Sequence, residues 1–309
     1  MKKKNAIVTC CTPSWLPYAA VTLFSCHQQG ASDIAELFVV VLGATEIDIS
    51  RFRNFLQQKG FQASLLNVSL PEAARDLESN YYGPSALLRL FLPDWISNEY
   101  QRLLYLDSDV VAMAPVGEIF EIDLQGKSLA AVEDWASLRL KKQQRLWGDH
   151  FSQLGMLPHS SYFNSGVMLF DWIRVFKERR LQNCIGISRD LKKRNAEIRI
   201  ADQDLLNVEF EDDWKPMNLK FNLMEIYVDH FPVRPVFRHF NSSFKPWVPK
   251  WTPQTGKFNK VYRKILSGSD WPVPAKARFF HLTPWTIQCF VFRRFKFTIR
   301  RRIRSQIVL

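Results

Sequence analysis

The chain has 309 residues, 47% of them hydrophobic, which is enough for one large core or two smaller ones; no internal repeat and no low-complexity linker divides it. The formal charge is +12, but seven of the basic residues crowd between Arg293 and Arg304 and three lysines sit at positions 2–4, so the body is nearly neutral. A nucleic-acid reader carries its charge across a folded face, so nucleic acid is not an expected partner.

The opening "MKKKNAIVTCC" has the charge of a signal peptide, but its apolar run stops at Cys11, too short for a secretory core segment. Asn5–Cys11 reads instead as a buried first strand. A helix is expected over Leu16–Cys26, a second strand over Glu36–Leu42 ("ELFVVVL"), a helix over Ile49–Lys59 ended by Gly60, and a third strand over Gln62–Val68. Ser85–Trp95 reads as a helix stopped around Pro93, and Arg102–Leu106 as a strand. Leu129–Glu133 and Tyr162–Phe170 look like further strands, Trp172–Asn183 like a helix, and Arg278–Leu282 like a short strand. The span 210–280, rich in Pro, Trp and Phe, reads as the loop-rich rim of a site. This order predicts an α/β fold: a mostly parallel, Rossmann-type sheet with helices on both faces. Five cysteines without a CxxC pair imply neither a disulfide framework nor a zinc knuckle, and a reduced, cytoplasmic setting. No apolar stretch reaches the ~18 residues a membrane span needs.

The segment "RLLYLDSDVVAM" drives an apolar strand into Asp107 and Asp109. On a strand, residues i and i+2 share a face, so the two carboxylates are expected to converge while Ser108 points away. Like charges repel unless a cation joins them, and hard oxygen ligands suit Mn²⁺ or Mg²⁺. A turn that merely ties up backbone amides is the alternative. Two enzyme classes use such a pattern: haloacid-dehalogenase-type phosphatases, which place it near the chain start, and nucleotide-sugar transferases, which place it at the end of a nucleotide-binding sheet. The hundred residues of α/β sequence before Asp107 favour the second.

Three later segments, "YFNSGVMLFD" (162–171), "ADQDLLN" (201–207) and "RHFNSSFKPW" (238–247), follow "LDSD" in that order. Together they resemble the retaining glycosyltransferases of family 8, above all the bacterial lipopolysaccharide galactosyl- and glucosyltransferases, from the first strand to about Trp285. The resemblance implies a GT-A-like fold, a UDP-hexose donor and a lipid-linked or oligosaccharide acceptor. It makes Asp107, Asp109 and His239 metal ligands; His281 is a rival whose spacing to Lys-Pro-Trp fits less well. It places Lys245 on the diphosphate, with Ser108 counted among the donor contacts. Arg89, Asn164 and Ser165 become sugar or nucleotide contacts, with Gly166 allowing close backbone approach. Asp134, Asp202 and Gln203 would orient the sugar, and Asp204 would orient that pair. Two departures stand out. The loop after the first strand is "CCTPSW", leaving Thr12 and Ser14 to meet base and ribose, and Ser242 stands where the family has glycine.

The mechanism so implied is metal-dependent hexose transfer with retention. Gln203 is a weak nucleophile, so front-face attack is the expected route. The last stretch, "QCFVFRRFKFTIRRRIRSQIVL", puts Phe292, Phe295, Ile299 and Ile303 on one helical stripe among arginines, a pattern suited to an anionic membrane face. The expected organisation is therefore a catalytic domain over 1–285 and a membrane-associating tail over 286–309, with the protein peripheral at the inner membrane face. The competing functions are a phosphatase and a non-enzymatic RNA- or membrane-binding protein on a degenerate transferase fold.

Overall fold

The computed structural model describes residues 3–77, 84–134, 141–157, 160–228, 233–248 and 255–276. The expected strand over residues 278–282, His281 and the tail lie outside them.

Among the described residues, nine strands build two sheets: β1 (Asn5–Cys11), β2 (Ala35–Leu42), β3 (Ser64–Val68), β4 (Arg102–Leu106), β5 (Val110–Ala112), β6 (Leu129–Glu133), β7 (Phe163–Asp171), β8 (Trp214–Pro216) and β9 (Phe237–His239). Seven of them form one sheet in the order β3-β2-β1-β4-β7-β6-β8, and β5 pairs with β9. β3, β2, β1 and β4 run parallel, as does β6 with β8, while β7 runs antiparallel to both its neighbours. The expected mostly parallel sheet is thus present, with one reversed strand through its middle.

β1 shows why the sequence forms this sheet. Ile7 and Cys11 join the core on one face, and Ala6, Val8 and Cys10 that on the other. A strand buried on both sides reads as a continuous apolar run, and fully burying each aliphatic side chain contributes about 1.5–3 kcal/mol. The first face is covered by the Leu16–Gln28, Glu46–Lys59 and Gly256–Leu266 helices, the second by the Pro84–Asp94, Arg180–Lys193 and Ala201–Glu209 segments. The Glu46–Lys59 helix starts in a capping box of Thr45 and Asp48 and ends at Gly60 with φ 70°, which glycine adopts without steric cost. The four cysteines among the described residues, Cys10, Cys11, Cys26 and Cys184, are free and buried.

Several expected elements take another form. Pro84–Asp94 is a 3₁₀ helix containing Pro93, not an α-helix. The single helix expected from Trp172 is two, Trp172–Lys177 and Arg180–Lys193. Asp171 caps the first by accepting from the Arg174 amide, and Arg179, at φ 55°, turns the chain so that Leu181, Cys184 and Leu191 face the core. The span read as loop-rich carries an amphipathic helix, Gly256–Leu266. Its Phe258, Tyr262, Ile265 and Leu266 pack into the core shared with the first helix.

The small β5–β9 sheet positions the site. Val110 pairs with His239, Val111 with Arg238 and Ala112 with Phe237. The other edge of β5 is held by the first helix: Thr22 Oγ1 donates to the Val110 carbonyl (2.8 Å), and the Ala112 amide donates to Ser25 Oγ (2.9 Å).

Candidate active site

β4 ends at Leu106, so Asp107–Asp109 form a turn rather than a strand, closed by the Val110 amide donating to the Asp107 carbonyl (3.1 Å). The carboxylates therefore converge through turn geometry, not strand alternation, with Ser108 buried in the turn. β9 delivers His239 opposite Val110, and one ligand atom each from Asp107, Asp109 and His239 lies within 4.8 Å of the others. His239 Nε2 is 3.2 Å from Asp109 Oδ1 and 3.7 Å from Asp107 Oδ2.

Each ligand is held from behind. Asp107 Oδ1 accepts from Arg89 Nη2 (2.8 Å) and from the Tyr105 hydroxyl (2.9 Å), leaving Oδ2 toward the histidine. Asp109 Oδ2 accepts from Lys245 Nζ (2.5 Å). Asp109 Oδ1 is buried without a hydrogen bond; its approach to His239 is close but poorly aligned. Burial disfavours the Asp109 carboxylate, yet His239 and Lys245 outweigh that and hold its pKa well below the usual carboxylate range.

This donor set fits a divalent cation. Two carboxylates and an imidazole suit Mn²⁺ or Mg²⁺, and the orphaned Asp109 oxygen faces the common point. Gly166 leaves room for it: a Cβ there would fall 2.2 Å from His239 Cε1 and 2.8 Å from Asp107 Oδ2.

Beside this point lies a buried polar floor. Arg89, stacked on the Tyr105 ring at 4.4 Å, donates to the Ser165 carbonyl (2.9 Å) and pairs with Asp202 (3.1 Å). Burial, with Asp107 adding to it against the opposing pull of Arg89, raises the Asp202 pKa to about 6. Gln203 Oε1 accepts from the Ser165 amide (3.0 Å) and from Asn164 Nδ2 (3.1 Å); Asn164 Nδ2 also donates to Asp134 Oδ2 (3.0 Å). Asn164 Oδ1 accepts from the Gly166 amide (3.1 Å) and from Asn222 Nδ2 (2.9 Å). Asn164 thus spends all four amide positions on protein groups. The structure brings Asp134, Asn164, Ser165, Asp202 and Gln203 together around Arg89, one shell from the acidic turn.

Asp204 anchors rather than faces this floor. Fully buried, it accepts from His150 Nε2 (3.1 Å), Tyr162 OH (2.6 Å) and the amides of Arg199 and Ile200 (2.8 and 2.9 Å), fixing the start of the Ala201–Glu209 helix. Asn207 clamps the same helix to β7 through the Phe163 amide and carbonyl (2.7 and 2.9 Å). Thr12 and Ser14 bond to each other (3.0 Å) at the end of β1. Neighbouring Trp15 meets Trp247 edge-on at 5.2 Å and lies 5.8 Å from Lys245 Nζ, so this loop borders the acidic turn.

Sequence reasoning passed over Tyr105, His150, Tyr162, Asn207 and Asn222. Tyr105 was within reach, because strand alternation puts it on the face of Asp107. His150 and Asn207 sit on helices and Tyr162 and Asn222 outside regular elements, and in each case the partner that gives the side chain its role lies on another segment.

The family model for glycosyl transferase family 8 matches residues 6–250. The chain belongs to glycosyltransferase family 8. That membership decides against the haloacid-dehalogenase reading. Glycosyltransferase GlyF of Streptococcus pneumoniae serotype 4 is 29% identical over 209 residues, covering 63% of this chain and 45% of that protein. Lipopolysaccharide 1,2-glucosyltransferase of Escherichia coli is 28% identical over 209 residues, covering 63% of this chain and 58% of that protein. The chain therefore spans about half the length of these relatives. Galactosyltransferase LgtC, solved in complex with donor and acceptor sugar analogues, superposes with a TM-score of 0.70 at 20% identity, covering 87% of this chain and 97% of that one. This likeness shows a shared GT-A-like fold. Among the described residues, no helix is long and apolar enough to cross a membrane.

Proposed function

We propose that this family 8 chain transfers a hexose from a UDP-sugar to a hydroxyl of a lipopolysaccharide or other cell-surface glycan, with retained configuration and in dependence on a divalent metal. The observation that carries the proposal is the convergence of Asp107, Asp109 and His239, with Lys245 against the same carboxylate and the Arg89-centred floor alongside. The name of the Escherichia coli relative supports the acceptor class.

A divalent cation held by Asp107, Asp109 and His239 supplies Lewis-acid stabilisation of the leaving diphosphate. Lys245, whose ammonium now rests on Asp109, turns to the diphosphate as negative charge builds there. Thr12 and Ser14 meet the nucleoside end, together with Ser108 at the turn. Arg89, Ser165, Asp134 and Asp202 orient the sugar, with Asn164 bracing Asp134 and Gln203. The Gln203 carbonyl already accepts from Asn164 and Ser165, which makes it a poor nucleophile and favours front-face attack, a donor phosphate oxygen taking the acceptor proton. The basic segment 286–309 holds the catalytic domain 1–285 on the cytoplasmic face of an anionic membrane, next to a lipid-linked acceptor.

The test is incubation with a panel of UDP-hexoses and Mn²⁺, reading slow donor hydrolysis. One UDP-hexose is expected to be hydrolysed, and Asp109→Asn to abolish the signal. Hydrolysis that survives chelation and Asp109→Asn would refute metal dependence, and release of phosphate from phosphomonoesters with UDP-sugars ignored would refute the transferase reading.

A further inference from the structure

His239 can present a lone pair to a cation through Nε2 only if its proton sits on Nδ1, and hydrogen-bond accounting around it fixes that choice. A backbone amide can only donate. The Gly166 amide points at the Asn164 side chain (3.1 Å), so the Asn164 atom facing it is the oxygen. The opposite end of that amide then donates to Asp134 Oδ2 (3.0 Å) and to Gln203 Oε1 (3.1 Å). Gln203 Oε1 is identified independently, because it also faces the Ser165 amide (3.0 Å). With Asn164 Oδ1 fixed as an acceptor, the Asn222 atom 2.9 Å away is its NH₂. The Asn222 oxygen is thereby turned to His239 Nδ1, 3.0 Å away, where it can only accept.

We propose that Asn222 is a positioning residue that holds the His239 proton on Nδ1 and so presents the Nε2 lone pair to a metal shared with Asp107 and Asp109. Asn222 and His239 are almost completely buried, so water cannot substitute for this partner. Its orientation is set in turn by Asn164, which links the histidine to Asp134 and Gln203 in one unbroken amide relay. Outer partners of this kind typically govern metal affinity by about 10–100-fold. The inference rests on the metal-dependent reading above.

Two measurements test it. The first is Mn²⁺ affinity by electron paramagnetic resonance, without substrate, on the full chain. Asn222→Leu is expected to weaken binding by about 10–100-fold, while Asn222→Asp, which keeps an acceptor toward Nδ1 but sets its other oxygen against Asn164 Oδ1, recovers part of that loss. Unchanged affinity in Asn222→Leu, or equal loss in both variants, overturns the proposal. The second needs no variant of Asn222: ¹⁵N resonance of the His239 ring in the metal-free chain, assigned by its absence in His239→Gln. Recorded at a pH where the ring carries a single proton, that proton on Nδ1 supports the proposal and on Nε2 overturns it. If the unaltered chain binds no Mn²⁺, the metal reading falls, and the ring spectrum still judges the role of Asn222.

Discussion

Replacing Gly166 by alanine probes the site with a single methyl group. The backbone of Gly166 is not in the left-handed region, so the substitution adds no torsional strain, and its cost is contact alone. The new Cβ would lie 2.2 Å from His239 Cε1, and 2.8 Å from both His239 Nδ1 and Asp107 Oδ2. Ordinary van der Waals contact begins near 3.4 Å, so the imidazole must retreat by about 1.2 Å or more. Metal sites hold ligand distances to within about 0.2 Å, so a shift of this size removes His239 from the shared point. The hydrogen bond from His239 Nδ1 to Asn222 is disturbed by the same movement. We expect Mn²⁺ affinity, measured by calorimetry, to fall by about 100-fold or more, with overpacking costing about 1–3 kcal/mol of stability. Gly186, in the Arg180–Lys193 helix, has nothing within 4 Å of its notional Cβ and serves as the control. Gly186→Ala should raise stability by about 0.5–1 kcal/mol and leave metal binding alone. Mn²⁺ binding by Gly166→Ala within threefold of the parent chain would refute the reasoning.

Lys245→Met removes the ammonium that now shares Asp109, so metal affinity without nucleotide should hold or rise while UDP affinity falls by about tenfold or more; undiminished UDP binding in titration calorimetry counts against a diphosphate role. Asp202 carries a pH signature. Its folded pKa of about 6 lies above the ordinary carboxylate value, so between about pH 4 and 6 the native chain keeps a proton that the unfolded chain has released. Stability from this group is full below that window and is lost as pH rises through about 6, a difference of about 3 kcal/mol. In metal-free buffer, Asp202→Asn should therefore gain melting temperature relative to the parent chain on going from pH 5 to pH 8; a gap independent of pH would contradict the assignment. A chain ending at residue 285 is expected to lose sedimentation with anionic liposomes while retaining donor hydrolysis, and equal sedimentation would remove the tail from the membrane reading.

The central sheet was legible because β1 and β2 carry β-branched apolar runs and β4 a run of leucine and tyrosine, with side chains buried on both faces, a pattern local to each strand. The acidic turn was legible as two carboxylates after such a run, although their convergence comes from the turn and not from pleating. His239 was reached through resemblance and its spacing to Lys245, since nothing around one histidine distinguishes a ligand from a core residue. That Gly166 permits a close approach was readable; that the approaching group is the His239 ring was not, because β7 and β9 meet only in three dimensions. Asn207 and Asn222 illustrate the same boundary. Their partners are 44 and 17 residues away, and a buried amide looks like any loop asparagine until those partners are in place. The Gly256–Leu266 helix was missed for another reason. Its apolar residues do follow helical spacing, but they sit in a stretch whose prolines and tryptophans mask the period.

The three-rung pairing of β5 with β9 joins Asp109 to His239 across about two-fifths of the 309-residue primary structure. Everything between residues 113 and 236 leaves and returns through that clasp. Lengthening a chain excursion costs only about 0.6 kcal/mol per doubling, so this interior can gain or shed surface loops while the clasp stays shut. The three acidic and imidazole groups of the candidate metal site thus sit at the neck of the excursion, whereas the polar floor of Asp134, Ser165 and Asp202 is supplied from along its length.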